Sequence, residues 1–269
     1  MLIYKTIFVV LTFMFGASFA SFAGVVAYRV PKGISLVKPD SFCPCCKKSI
    51  KFYDNIPILS WLVLGGKCRY CKSQISIFSL ITEIMGGLGF SLSYLQYGDT
   101  YKTLPIFVAM IFLIFLFVII SAIDYETHEV YDISLVLFAI LSIFITGYRV
   151  VALNYNLWSY IFGMIFGYLF FYLIKIISKI ILKKDALGTG DVYLVGIAGL
   201  MLGLLPLLLA IIIATLMASV IELIKIQSNK SNREHEIAFA PYLLLGIGFV
   251  AIYGDSILEL YREVIINAI

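Results

Sequence analysis

Apolar residues in this chain run in long charge-free blocks separated by short polar stretches. This is the pattern of helices that cross a bilayer, which need about 20 mostly apolar residues each. Blocks of suitable length stand at 6–28, 103–123, 150–174 and 192–221. Shorter ones lie at 133–148 and 237–254, and 75–98 joins them if Glu83 is admitted inside it. As a single helix the block 192–221 would be about 45 Å long and overshoot a hydrocarbon core of about 30 Å. Gly203 and Pro206 near its middle mark a turn between two spans. The pattern therefore predicts an all-α polytopic membrane protein with about eight transmembrane helices.

Composition sharpens that picture. The 269 residues are 62% hydrophobic and 13% charged, with a mean hydropathy of +1.02, whereas soluble domains are roughly 45–50% apolar and about 25% charged. A soluble globule, a disordered chain and a fibrous repeat are excluded together, and five cysteines are too sparse for a secreted disulfide scaffold. The 39 Tyr and Phe residues suit lipid-facing and interfacial positions, not a cofactor box. The net charge of +4 does not indicate nucleic acid, because the basic residues follow a membrane pattern. With eight spans, the loops at 29–77, 124–132, 175–191 and 225–236 share one face and hold nine, none, four and three of the 20 lysines and arginines. Lys5, Lys102, Arg149 and Arg262 are left for the other face. Positive residues stay inside, so the first set of loops is expected in the cytoplasm and both termini outside. A single span over 192–221 would weaken this asymmetry. Ala-Ser-Phe-Ala at 17–20 resembles a signal cleavage site, but the basic cluster follows the apolar run instead of preceding it. A first span with its C-terminal end inside is the better reading.

Residues 29–77 form the one long hydrophilic stretch and hold all five cysteines. Cys43 and Cys46 are two residues apart, as are Cys68 and Cys71, with 21 residues between the pairs. Two such knuckles bring four thiolates to a tetrahedral site of the structural zinc type. Lys47, Lys48, Lys67, Arg69 and Lys72 would stabilise the thiolates. Reversible disulfides are the alternative, disfavoured on a reducing face. Cys45 is a spare thiol that could replace Cys46 at the cost of a strained knuckle. A hairpin of this size with little apolar content cannot bury a core alone, so the metal would be a folding device, with no open position for catalysis.

Two carboxylates mark the edges of apolar blocks. Asp124 ends one, in Ser121-Ala-Ile-Asp-Tyr-Glu126, and Asp191 begins another behind Gly188-Thr-Gly190. Both fall at the same predicted boundary, where ionisable groups are expensive and often functional. Two carboxylates meeting there would resist double ionisation, and such a pair can activate a water and protonate a leaving amine. Gly188 and Gly190 would let backbone or substrate come close. The plainer reading makes Asp191 an N-cap and Asp124 a solvated helix end. Glu83, inside an apolar run, needs a partner or a cavity: it is a packing residue or part of a second site. His128 and His235 are loop histidines with no assigned role.

Read in order, the motifs are Gly16-Ala-Ser18-Phe19 through Tyr28-Arg29-Val30-Pro31, Cys43-Pro-Cys-Cys46, Asp54-Asn-Ile-Pro57, Ser60-Trp-Leu62, Gly66-Lys-Cys-Arg-Tyr-Cys71, Ile75-Ser76 and Glu83. Downstream come Asp124 with Asp132, Gly188-Thr-Gly-Asp191 and Phe239-Ala-Pro-Tyr242. Across nearly the whole chain this resembles the type IV prepilin peptidase family, bifunctional leader peptidases and N-methyltransferases of pilus, competence and type II secretion systems. The resemblance implies Asp124 and Asp191 as catalytic aspartates, with Asp132 as a supporting loop acid. It further implies a tetrathiolate zinc at Cys43, Cys46, Cys68 and Cys71, and S-adenosylmethionine as methyl donor, with Glu83 a candidate for that half. The sequence departs from the family at Val130-Tyr131 (usually Pro before Asp132), at Tyr193 (usually Lys) and at Phe78-Ser79 (usually Tyr-Pro). No aspartate or paired cysteine is lost.

The expected division is 1–28 as first transmembrane helix, 29–77 as a cytoplasmic tetracysteine zinc hairpin and 78–269 as the transmembrane aspartyl protease core. The substrate expected from the resemblance is a prepilin or pseudopilin with a basic leader, a glycine at the cut and a hydrophobic helix. It would be processed at the cytoplasmic face of a bacterial inner membrane, with no nucleic-acid partner. Glu126, Glu129 and Asp132 either attract the leader or form a solvated loop. A zinc-stapled scaffold or transporter would place acids near the midplane of several spans, whereas these cluster at one face. A presenilin-like protease would share only the aspartates.

Overall fold

The computed structural model describes residues 2–183, 187–227 and 238–268. His235, with the polar run 228–236, lies outside them, as do residues 184–186 of the loop expected at 175–191. Among the described residues there are nine α-helices: α1 (Leu2–Arg29), α2 (Leu59–Val63), α3 (Ile77–Tyr97), α4 (Leu104–Thr127), α5 (Asp132–Leu153), α6 (Leu157–Leu182), α7 (Thr189–Leu202), α8 (Leu204–Gln227) and α9 (Ala240–Ala268). Seven of them are long and apolar enough to cross a membrane. The eighth predicted span is α7, whose 14 residues make about 21 Å, less than a hydrocarbon core. The break inside 192–221 falls at Gly203, whose φ of +83° favours glycine. Pro206 sits in the first turn of α8, where a missing N–H costs nothing.

Several boundaries differ from the charge-free windows, because a helix need not stop where a charge stands. Arg149, expected in a loop, lies within α5 and is buried, its guanidinium 3.4 Å from the Asp255 carboxylate. Lys175 and Lys179 continue α6, and Lys225 continues α8.

The chain forms two compact units, 1–123 and 124–269. In the first, α1 crosses α3 where Gly16 meets the Gly86 backbone and Ala20 lies 2.6 Å from where a Gly86 Cβ would stand. The small residues that resembled a cleavage site are therefore packing residues of an unbroken helix, with Ala20 and Ala23 buried beside Val118. In the second unit, α6 and α7 cross where Gly163 and Gly199 bring backbone onto backbone. Thr146 Oγ1 of α5 donates to the Leu200 carbonyl of α7 at 2.6 Å. Close packing by small residues replaces the hydrophobic driving force that lipid does not supply. It fixes the short α7, and with it Asp191.

Candidate active site and metal centre

Asp124 lies in the last turn of α4. That helix ends at His128, a left-handed residue (φ 55°) whose N–H closes on the Asp124 carbonyl at 2.9 Å. Asp191 is the third residue of α7 and accepts from the N–H of Gly188, the helix N-cap. It is thus not the N-cap itself but the acid that reaches back to it, as in a capping box. Asp124 and Asp191 are only 6% and 8% exposed, and near enough for the charge on Asp124 to act on Asp191. The Ala240 N–H, at the start of α9, donates to the Asp124 carboxylate, where a helix N-terminus favours negative charge. Asp124 Oδ2 is buried without a hydrogen-bond partner. An orphaned buried carboxylate oxygen within electrostatic reach of a second buried carboxyl group fits a place where a water or a substrate carbonyl binds.

The two glycines before Asp191 differ. A Cβ on Gly190 would stand 2.6 Å from the Val130 Cβ in the loop between α4 and α5. A Cβ on Gly188 would meet the Asp191 carboxylate at 3.4 Å, an ordinary contact. Val130 cannot yield without moving its backbone. Gly190→Ala should therefore slow the leader removal that the resemblance implies roughly tenfold or more by displacing the loop against Asp191, with Gly188→Ala within about threefold of wild type. Initial rates of processing in detergent separate the two.

Asp132 is exposed in the first turn of α5, where an acid complements the helix dipole. Glu126, His128 and Glu129 are exposed beside it. A feature missed from sequence is the tie between α8 and the start of α9. The Tyr242 hydroxyl donates to Glu222 Oε1 at 2.8 Å, and Lys225 Nζ donates to the same oxygen at 2.6 Å. This anchors the first turn of α9, whose Ala240 N–H holds Asp124. Tyr242→Phe should cost a few-fold in kcat with little change in KM, because a hydrogen bond to a charged acceptor is worth about 1.5–3 kcal/mol and only part of it reaches Asp124. Steady-state kinetics on a peptide of the substrate class that the resemblance implies checks this. The signal was present as Phe239-Ala-Pro-Tyr242, but its partner at Glu222 is set by helix pairing.

Glu83 finds its partners within the first unit. Its Oε2 accepts from the Ile58 N–H at 2.7 Å, and the Ser21 hydroxyl also bonds to it. Ile58 has φ 64°, ψ −55°, a conformation that a β-branched residue adopts only under constraint. The buried carboxylate thus holds a strained turn at the foot of the hairpin.

The four sulphurs of Cys43, Cys46, Cys68 and Cys71 all lie within 4.8 Å of one another and can hold a metal ion. Cys43 and Cys71 Sγ are 3.8 Å apart, which matches the spacing of about 3.8 Å set by tetrahedral bonds of about 2.3 Å. The two knuckles repeat each other at an offset of 25 residues. Cys43 and Cys68 N–H groups donate to the carbonyls of Lys48 and Ser73, and their carbonyls accept from Lys47 and Lys72. Lys47 and Lys72 both have positive φ, and single antiparallel bridges join Phe42 to Ser49 and Lys67 to Gln74. The repeated string Cys-x-x-Cys-Lys-x-x-Ile, at 43–50 and 68–75, carried this symmetry in the sequence. A hydrogen bond from the Ser73 hydroxyl, assisted by the Ser73 backbone, lowers the Cys71 thiol to about 6. Cys45 is exposed and outside the four-sulphur set. Arg69, inside the second knuckle, grips Asp54 with two bonds of 2.7 and 2.6 Å, which hold that carboxyl below the usual range.

Residues 14–97 match the bacterial peptidase A24 N-terminal domain, and residues 110–223 match the type IV leader peptidase family. Among curated relatives, a prepilin leader peptidase/N-methyltransferase of Neisseria gonorrhoeae is 30% identical over 267 residues, covering 90% of this chain and 89% of its own. One from Pseudomonas aeruginosa is 27% identical, covering 95% and 94%. One from Myxococcus xanthus is 32% identical, with the match covering 80% of this chain but 62% of that longer protein. No solved structure matches. With the two matched regions in the expected order and a relative covered almost end to end, the chain belongs to the type IV leader peptidase family.

Proposed function

We propose that the chain removes the basic leader of prepilins or pseudopilins after a glycine, at the cytoplasmic face of a bacterial inner membrane, using Asp124 and Asp191, and then methylates the exposed amine. The observation that carries the peptidase reading is a pair of buried carboxyl groups from α4 and α7, near enough for the charge on one to act on the other, one of them with an oxygen that has no partner. One carboxylate takes a proton from water as its oxygen attacks the scissile carbonyl carbon. The other carboxyl group gives a proton to the substrate, and collapse of the tetrahedral adduct breaks the C–N bond and releases a protonated amine. The Ala240 and Gly188 N–H groups hold the two carboxylates in place without consuming Asp124 Oδ2. Burial excludes bulk water, which strengthens each of these interactions.

The exposed acids Glu126 and Glu129 beside this pair suit a basic leader by electrostatic steering, and its hydrophobic helix suits a bilayer-embedded enzyme. The cytoplasmic placement rests on the skew of basic residues. Zinc is the metal best suited to four thiolates at this spacing, and Cys43, Cys46, Cys68 and Cys71 would hold it in a closed, structural role. The N-methyltransferase half of the relatives' names supports the second activity. When bound, S-adenosylmethionine would supply the methyl group, transferred to the neutral amine with loss of one proton. Mass spectrometry of a prepilin incubated with the purified protein, with and without S-adenosylmethionine, tests both. The expected product lacks its leader and gains the mass of one methyl group only when the donor is present. No cleavage of several prepilins would sink the reading.

A further inference from the structure

The first unit contains a cleft of about 360 Å³ that the peptidase reaction does not use. Small-molecule sites run from about 300 to 1,000 Å³. One wall is a single face of α1, and the other is formed by hairpin residues 36–41 and the turn at Asn55 and Pro57. We propose that this cleft binds the methyl donor, an S-adenosyl amino acid, and that Glu83 is a positioning residue that builds it. The proposal rests on the methyltransferase reading above.

The walls are fixed by the protein itself. Arg29, only 3% exposed, donates to the carbonyls of Ser35 at 2.9 Å, Leu36 at 3.3 Å and Asp40 at 3.2 Å. One buried guanidinium thus sets the whole segment opposite α1. Glu83 does not line the cleft. It binds the Ser21 hydroxyl and the Ile58 N–H, and Ser21 and Pro57 lie on opposite walls. A single carboxylate therefore fixes the separation of the two walls and stabilises the strained Ile58 turn between them. The third support is the Arg69–Asp54 pair, which ties the residue before Asn55 to the second cysteine knuckle. Such preorganisation is characteristic of a site and spares a ligand the cost of ordering it.

The lining suits this ligand class. Phe22, Val25 and Pro39 offer flat apolar surface for a purine. Asp40 and Asn55 offer acceptors for a ribose diol or an ammonium group. Arg29 has five N–H groups, not all of them spent on the three carbonyls, so an amino acid's carboxylate finds a cation here. One acid and one guanidinium in one cleft match a zwitterion better than they match either a simple anion or a simple cation.

The test is binding of S-adenosylmethionine and S-adenosylhomocysteine to the full-length, metal-loaded protein in detergent, by isothermal titration calorimetry, with leader removal measured in parallel. Val25→Phe, which fills the cleft, and Asp40→Ala, at an exposed position, should each raise Kd at least tenfold while leader removal stays within about twofold. Glu83→Ala should raise Kd similarly. Glu83→Gln keeps an acceptor for the Ile58 N–H and should restore binding to within about threefold of wild type, a rescue that loss of fold would not show. If the cleft variants bind like wild type, the donor sits elsewhere and this assignment falls while methylation stands. If wild type binds neither compound but still cleaves, the methyltransferase reading falls and the assignment with it. A phospholipid that copurifies with wild type and is lost in Val25→Phe, without donor binding, would give the cleft to lipid and overturn the proposal.

Discussion

Leader removal falls about a thousandfold or more in both Asp124→Asn and Asp191→Asn, and the double variant is scarcely worse than either. The argument turns on what asparagine keeps. It matches aspartate in size, and its carbonyl oxygen still accepts from the Ala240 N–H at position 124 or the Gly188 N–H at position 191. Asparagine gives up only the charge's interaction with a helix N-terminus, worth about 0.3–1 kcal/mol, so if the two acids served only to hold helix ends, both variants would process substrate within about tenfold of wild type. Proton transfer is what asparagine cannot do, since an amide neither takes a proton from water nor returns one to the leaving amine. Non-additivity follows because both groups act in one transition state. Initial rates on a prepilin, with helix content checked by circular dichroism, decide the matter: more than a tenth of wild-type activity in either single variant removes the dyad.

What the sequence could and could not convey about this arrangement divides along a physical line. Features that depend on local pattern were legible. The apolar blocks became helices, the break at Gly203 appeared where a left-handed residue was needed, and the cysteine spacing gave four converging sulphurs. Features that depend on a backbone group meeting a distant side chain were not. Glu83 needed a partner by the cost of burying a charge, yet that partner is the N–H of Ile58, which carries no residue signature. The Ala240 N–H on Asp124 is hidden for the same reason. Arg149 was read as a loop charge because nothing in its neighbourhood hints at Asp255, more than a hundred residues on. The cleft is a shape between α1 and the hairpin, and no periodicity encodes it.

Removing the metal should unfold the hairpin and leave the helices standing. Between residues 30 and 76 only Cys43 and Gly66 are buried, so there is no apolar core to hold the segment once the sulphurs are released. Structural zinc sites contribute apparent binding energies of about 10–16 kcal/mol in small peptides at neutral pH, far more than a few exposed contacts among these residues can supply. Chelation, or Cys46→Ser or Cys68→Ser, should make residues 30–76 cleavable by protease within minutes, whereas Cys45→Ser, outside the four-sulphur set, should not. Metal analysis of the purified protein should give one zinc per chain. Uptake by the stripped protein should strengthen as pH rises up to about 6, where the Cys71 thiol, lowered to about 6, gives up its proton, and should keep strengthening above that value through Cys46. Cys46 behaves differently: the Lys48 N–H favours its thiolate, but desolvation and the neighbouring Cys71 and Cys43 sulphurs outweigh this and push it up to about 11. The metal must therefore displace its proton, and uptake near neutral pH should acidify an unbuffered solution. Loss of the second knuckle also frees Arg69 from Asp54, the support beside Asn55. Donor binding should then weaken with metal removal even though no cysteine lines the cleft, and unchanged binding in protein shown to be zinc-free would refute that coupling.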